Sequence, residues 1–419
     1  MPRNAVYAQS GGVTAVINAT AAAVIEAVRQ NHPAMGALYA ARSGIIGALT
    51  EDLLDTTPLS DAQVNALGHT PGGAFGSCRY KLPDPAQDDR HYRRLLQVFE
   101  AHDVSCFFYN GGGDSMDTAL KLARYAQQAG YPLQVIGIPK TVDNDLPVTD
   151  CCPGFGSVAK YVAVSIREAT LDLAAMASTS TQVFVFEVMG RHAGWIAAAG
   201  GLAFDAPPNA PLLILFPEVA FDAERFLGRV SDTVARFGYC SVVVSEGVRD
   251  AQGRFLADAG TVDAFGHRQL GGAGPAVVAQ IRERLGLKTH WAVADYLQRS
   301  ARHLASATDL AQADALGRDA VRMALAGDSG VAPVIRRLAD APYRWDVTSA
   351  PLQALANVER HVPAEYIGAD GFGITDACRR YLEPLIAGEA YPPYRDGLPD
   401  YVKPVQAPLA RRVAEEFTL

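Results

Sequence analysis

Directly after the apolar run at 133–138, the chain reads Pro139-Lys140-Thr141-Val142-Asp143-Asn144-Asp145. A lysine, a threonine and two aspartates at a strand end can supply a phosphate clamp, a hydroxyl hydrogen bond, a general base and a metal ligand. Phosphoryl transfer to an alcohol needs those parts. By composition the segment reads as well as a polar, Asx-rich turn. Three glycine-rich segments add donors of another kind: Ser10-Gly11-Gly12, Gly72-Gly73-Ala74-Phe75-Gly76-Ser77 and Asn110-Gly111-Gly112-Gly113-Asp114-Ser115. Each follows a strand or loop and opens towards a helix, where bare backbone amides hold phosphate. Any one alone is equally a tight turn; their combination points to a polyphosphate site.

Two named fingerprints do not apply. No GxxxxGK[ST] run occurs. Gly154-Phe155-Gly156-Ser157-Val158-Ala159 fits GxGxxA, but Cys-Cys-Pro precedes it where a dinucleotide site needs a strand.

Positioning such loops calls for buried parallel strands. Short apolar runs recur at 5–9, 104–109, 133–138, 183–188, 212–216 and 241–246. Most lead through Gly or Pro into helical patterns, at 16–30, 115–128, 158–177 and 223–237. The alternation predicts an α/β protein with helices on both faces of mostly parallel sheets. Past about residue 340 the character changes, with Pro and Tyr clustered in EAYPPYRDGLPDYVKP, which reads as an extension wrapped over the body.

The 419 residues are enough for two or three domains. A net charge of -8 gives no general attraction to nucleic acid or anionic lipid. No run nears the length of a membrane span, and the first residues lack the apolar core of a signal peptide. The six cysteines show no CxxC spacing and read as reduced, buried bystanders. The expectation is a cytoplasmic protein acting on small molecules.

GGGDS at 111–115, PKTVDND at 139–145 and FEVMGRHAGW at 186–195, continued by Ser245-Glu246 and Tyr296-Leu297-Gln298-Arg299, resemble the phosphofructokinase family in order and approximate spacing. The resemblance covers roughly residues 5 to 300. It implies two Rossmann-like three-layer α/β domains with the active site between them. Residues 1–139 with about 298–345 would bind the phosphoryl donor, 140–297 fructose 6-phosphate, and about 346–419 would form the C-terminal extension. The implied reaction is phosphorylation of the C1 hydroxyl of fructose 6-phosphate, with Mg2+, in a homodimer or homotetramer.

Carried over residue by residue, the resemblance makes Asp143 the base, with Thr141 and Val142 beside it. Met189, Gly190 and Arg191 would contact the sugar phosphate, Glu246 the sugar hydroxyls, and Tyr296 with Arg299 the 6-phosphate. Arg299 suits that role, because its planar fork binds phosphate in a bidentate manner. Gly12 and Ser115 would approach the donor phosphates, and Arg79 would neutralise charge on the transferring group.

ATP-using members resemble GGDGS and PGTIDND at the two donor motifs. Here Asp114 and Lys140 replace two glycines together, as in pyrophosphate-using relatives. A carboxylate about 4 Å from an α-phosphate charge costs on the order of 4 kcal/mol at an effective dielectric near 20, roughly a thousandfold in affinity. The lysine instead supplies a fixed cation to a donor without adenosine. Pyrophosphate is therefore the expected donor. Gly113 stands where ATP users carry the magnesium-binding aspartate, which leaves Asp145, pyrophosphate oxygens and water, or the Gly113 backbone to hold the metal. Gln182 and His290 align approximately with two arginines that reach the 6-phosphate from a neighbouring subunit in bacterial ATP enzymes. An ATP-dependent sugar-phosphate kinase and a silent regulatory subunit are the competing readings. The silent subunit should have lost Asp143, Lys140 or Asp114, and all are present.

Overall fold

The computed structural model describes residues 3–204, 210–262, 268–270, 272–404 and 406–419. In chain order the strands are β1 (Asn4–Ser10), β2 (Leu38–Ala41), β3 (Leu53–Asp55), β4 (Ser77–Cys78), β5 (Val104–Gly111), β6 (Gln134–Pro139), β7 (Val183–Val188), β8 (Leu212–Leu215), β9 (Cys240–Ser245), β10 (Asp258–Val262), β11 (Arg268–Leu270), β12 (Thr289–Val293), β13 (Val331–Asp340), β14 (Tyr343–Pro351), β15 (Tyr394–Arg395) and β16 (Leu398–Pro399). The larger sheet has the order β14-β13-β6-β5-β1-β2-β3, with β4 also paired to β1. It is parallel except for β13–β14 and β2–β3. The smaller sheet, β12-β7-β9-β8, is wholly parallel.

The apolar runs form these strands because both faces are covered. Alternate residues of β1 and β5 serve two separate cores: Ala5, Tyr7, Cys106 and Phe108 face one, and Val6, Ala8, Phe107 and Tyr109 the other. The first of these cores also takes Phe186 and Val188 of β7 and Val243 of β9, with Val158, Val162 and Ile166 of the Phe155–Met176 helix. A single apolar layer thus joins the two sheets and fixes how their strand ends face each other. On the outer side of the smaller sheet, Val183, Val185, Val242 and Val244 pack beneath Phe226, Leu227 and Val230 of the Ala223–Phe237 helix. No described helix is long and apolar enough to cross a membrane.

The Phe155–Met176 helix begins three residues before the Val158 start read from the sequence. Asp309, from the Ala307–Leu325 helix, explains why. Its buried carboxylate accepts from Gly154 N (2.8 Å), Ser157 N (3.0 Å) and Ser157 Oγ (2.5 Å). An anion supplied by the chain itself therefore occupies this helix N-terminus, where a dinucleotide's pyrophosphate would sit. A methyl group on Gly156 would stand 2.5 Å from Leu385 O, so the GxGxxA match serves packing. Asp309→Ala is expected to lower the unfolding free energy by about 2 to 4 kcal/mol, because three buried donors lose a charged acceptor. Urea denaturation checks this, and a change under about 0.5 kcal/mol would contradict the capping role.

Candidate active site

Three adjacent parallel strands, β6, β5 and β1, end at one level, with Gln9 opposite Asn110 and Asn110 opposite Ile138. Their carboxyl ends release Gly11-Gly12, Gly112–Ser115 and Lys140–Asp145 side by side. Across from them β12, β7 and β9 do the same, with Val188 opposite Ser245 and Val293 opposite Glu187. These strand ends release Glu246, the Met189–His192 loop and the helix carrying Tyr296 and Arg299. All these loops line one cavity of about 950 Å³. Ligands settle outside strand carboxyl ends in such sheets because backbone amides converge there.

On the side of the larger sheet the wall is cationic. Lys140 is buried, and its Nζ donates to Gly12 O at 2.7 Å. A Cβ on Gly12 would come within 2.6 Å of Arg299 Nη1 and 3.7 Å of Arg79 Nη2, which places both guanidinium groups beside the Gly12 backbone. Burial, then the charges of Arg299 and Arg79, bring the Lys140 ammonium down to about 8, despite the opposing pull of Asp143 and Asp145. Three cations held this close call for an anion between them. Asp114, at the start of the Gly113–Gln128 helix, pairs with Lys81 at 3.3 Å. Ser115 donates through Oγ to Ser10 Oγ at 2.8 Å, joining two of the glycine loops.

The Lys140–Asp145 loop is tightly built. Thr141 Oγ1 accepts from Asp143 N at 3.1 Å. Asn144 lies between the aspartates at φ 53°, fully buried, with Nδ2 on Tyr381 Oη (3.0 Å) and Oδ1 accepting from Cys152 N (3.0 Å). That left-handed residue turns the chain so that Asp143 and Asp145 both line the cavity. Burial raises the Asp143 carboxyl, opposed by Lys140, Arg191, Arg79 and His192. Asp145 is pushed up to about 7 by burial and then by Asp143.

On the facing side, Glu246 is pushed up to about 7, by burial first and the Asp143 charge second. Its Oε1 accepts from Gly190 N at 3.4 Å. Gly190 itself stands behind the lining: at φ 128°, with Ala193 O 2.7 Å from an added Cβ, it shapes the loop beneath Met189 and Arg191. Arg191 Nε is buried without a hydrogen-bond partner among the described residues. Arg299 stacks over the Tyr296 ring at 4.0 Å.

The phosphofructokinase family model matches residues 4–324. The chain belongs to the phosphofructokinase family. It is 61% identical over 417 residues to a pyrophosphate--fructose 6-phosphate 1-phosphotransferase of Methylococcus capsulatus, covering 100% of this chain and 99% of that protein. The protein of the same name from Halomonas elongata is 57% identical over 412 residues, covering 98% of each. A solved pyrophosphate-dependent phosphofructokinase from Nitrosospira multiformis superposes with a TM-score of 0.92 at 57% identity, each chain fully covered at 100%. Phosphofructokinase from Saccharomyces cerevisiae shares the fold alone, with a TM-score of 0.64 at 21% identity over 85% of this chain and 45% of that one.

Against the sequence reading, one glycine loop departs. Gly72–Ser77 opens into the short strand β4 and not a helix, and none of its residues lines the cavity. Its amides instead serve the fold: Ala74 N donates to Asn18 Oδ1 (2.9 Å) and Phe75 N to buried Gln9 Oε1 (3.4 Å). Other residues line the cavity with no role read for them from sequence: Lys81, His192, and Asn357, Val358, Glu359 and His361 from the C-terminal region. Lys81 is only two residues beyond Arg79, but the last four follow no motif. Their nearness to Asp143 exists only in the folded chain.

The buried lysine gives a pH expectation. In a profile of kcat/KM the alkaline limb should fall near pH 8, as the free protein loses the Lys140 proton. Lys140→Arg should move that limb upward by more than about one pH unit, since guanidinium stays charged. An alkaline limb unchanged by Lys140→Arg would assign it to another group.

Proposed function

We propose that this chain moves a phosphoryl group reversibly between pyrophosphate and the C1 hydroxyl of fructose 6-phosphate, yielding fructose 1,6-bisphosphate and phosphate. The observation that carries the reading is the pair of residues on the donor wall, Lys140 buried on Gly12 O and Asp114 on Lys81, where ATP users resemble glycine at both positions. The relatives of that name, alike over their whole length, support it.

In this mechanism Asp143 takes the C1 hydroxyl proton as the oxygen attacks the nearer phosphorus of pyrophosphate, and phosphate leaves in line. Lys140 and Arg79 stabilise charge on the transferring group. Gly12, through its backbone, and Ser115 meet the donor. Thr141 and Val142 shape the loop beside the base. Met189 and Arg191 hold the sugar phosphate, Glu246 the sugar hydroxyls, and Tyr296 with Arg299 the 6-phosphate. Arg299, reaching Gly12, is within range of the donor as well.

The donor set suits Mg2+, which binds through one or two carboxylates plus substrate phosphates and water. Among the described residues no group of three or more His, Cys, Asp or Glu forms a dedicated cage. Asp145 and the Gly113 backbone, directly or through water, would hold the ion, which supplies neutralisation of pyrophosphate charge. Trp291 and Val293 on the edge strand β12 and Leu297 beyond it are exposed, which supports a homodimer or homotetramer. Free cysteines and phosphorylated metabolites as substrates support a cytoplasmic setting.

The test is turnover of purified protein with fructose 6-phosphate and Mg2+, given pyrophosphate or ATP in parallel. We expect pyrophosphate to be favoured by at least about 100-fold in kcat/KM. Equal use of both donors, or preference for ATP, would refute the donor assignment.

A further inference from the structure

Residues 357–361 follow β14 as a short strap without a motif of its own, yet the strap is bonded to the loop bearing Asp143 and Asp145, to the Met189–His192 loop and to the helix that carries Asp114. Asn357 donates through Nδ2 to Asp117 Oδ1 at 2.9 Å, on the helix that carries Asp114. Arg360 donates from its backbone to Asp145 O at 2.7 Å. Its guanidinium donates to the carbonyl oxygens of Asn144 (2.9 and 3.2 Å), Thr149 (2.7 Å) and Asp150 (2.9 Å), lying over the Trp195 ring at 5.0 Å. Glu359 accepts from His192 Nδ1 at 2.7 and 2.9 Å, and His361 Nδ1 donates to His192 O at 2.9 Å.

We propose that this strap sets the position of the Arg191 loop relative to the base loop, with Glu359 and Arg360 as positioning residues. The physical case starts from Arg191. Its Nε is buried without a partner among the described residues, so the aim of the guanidinium depends on the backbone that carries it. That backbone is gripped at the next residue, His192, through both ring and carbonyl, and both grips come from the strap. Two residues along, Gly194 N and Val362 N share Glu218 Oε1, each at 2.9 Å, which ties loop and strap together again. On the other side of the cleft, Arg360 spends its donors on the carbonyls of the loop bearing Asp143 and Asp145. One five-residue segment therefore spans the gap across which attacking hydroxyl and phosphoryl group must be aligned, and a misplacement of about 1 Å there costs on the order of 100-fold in rate. The Glu359 side chain is 46% exposed, so its removal costs little packing. It separates positioning from stability.

This inference rests on the proposed function for its kinetic readout only. The full chain and its variants Glu359→Ala, Glu359→Gln and Arg360→Lys would be compared by steady-state kinetics with fructose 6-phosphate, pyrophosphate and Mg2+. Hydrogen exchange of peptides covering 189–194 and 141–146 would be followed in the same proteins without substrate. Glu359→Ala should raise the KM for fructose 6-phosphate about tenfold with kcat changed less than about threefold, and speed exchange at 189–194. Glu359→Gln keeps one acceptor oxygen for His192 and should return both readouts to within about threefold of wild type. Arg360→Lys, with fewer donors and no fork, should speed exchange at 141–146 and lower kcat about tenfold. Wild-type exchange at 189–194 in Glu359→Ala, or equal damage from Ala and Gln, overturns the proposal; if Arg360→Lys fails to fold, the Glu359 pair decides it. A wild type that does not use pyrophosphate would defeat the function reading, while the exchange data would still decide the role of the strap.

Discussion

Asp143→Asn is expected to lower kcat at least about 100-fold in both directions while fructose 6-phosphate still binds within about threefold of its wild-type affinity. Asparagine keeps the shape and the Asp143 N to Thr141 Oγ1 bond but cannot take the hydroxyl proton. The raised carboxyl is suited to the task. Burial pushes it up, while Lys140, Arg191, Arg79 and His192 hold part of that rise back. There is a second consequence. The Asp143 charge props up the Lys140 ammonium, so its removal should let Lys140 lose its proton below the wild-type value of about 8. The residual activity of Asp143→Asn should therefore fall off at lower pH than that of wild type. Steady-state rates across pH, with calorimetric binding of fructose 6-phosphate, check both. Turnover within tenfold of wild type would remove Asp143 from the role of base.

The donor wall gives the other large effect. Lys140→Gly should lower kcat/KM for pyrophosphate at least about 100-fold, since the transition state loses a fixed, partly desolvated cation. Asp114→Gly should raise kcat/KM for ATP about tenfold or more, yet leave ATP a weak donor while Lys140 remains. The tertiary structure tempers the second figure. Lys81 stands 3.3 Å from Asp114, so the carboxylate meets an α-phosphate already partly neutralised. Its removal also frees Lys81 to meet either donor. The double variant should shift the donor ratio furthest towards ATP, but not by the product of the single effects, because all three side chains bear on one phosphate chain. Four proteins assayed with two donors settle it. A donor ratio unmoved by Asp114→Gly would mean that selectivity lies elsewhere in the cavity.

The part of the site written in local sequence was legible from it. PKTVDND had to be a strand-end loop, because an apolar run precedes it and its polar residues cannot be buried without partners. The alternation of strands and helices likewise follows from periodicity, and a parallel α/β sheet gathers its loops at one end. Chemistry-bearing types at those loops therefore point to phosphoryl transfer to an alcohol before any contact is known, and the family resemblance supplies the sugar and the donor. By contrast, Gly72–Ser77 is glycine-rich like the other two loops, yet it lies outside the cavity. Composition records that a backbone is permissive, not whether its amides are spent on a ligand or on Asn18 and Gln9. The GxGxxA run shows the converse: local pattern alone cannot reveal that Asp309, from a distant helix, already fills the helix end. What only the tertiary structure decided is everything set by long sequence separation: the single apolar layer that turns two sheets' strand ends towards each other, the convergence of Arg79, Lys140 and Arg299 on Gly12, and the closing of the site by residues 357–361. Short-range pattern fixes the identity of a loop, but the distance between loops is set by packing, which no spacing of residues along the chain encodes.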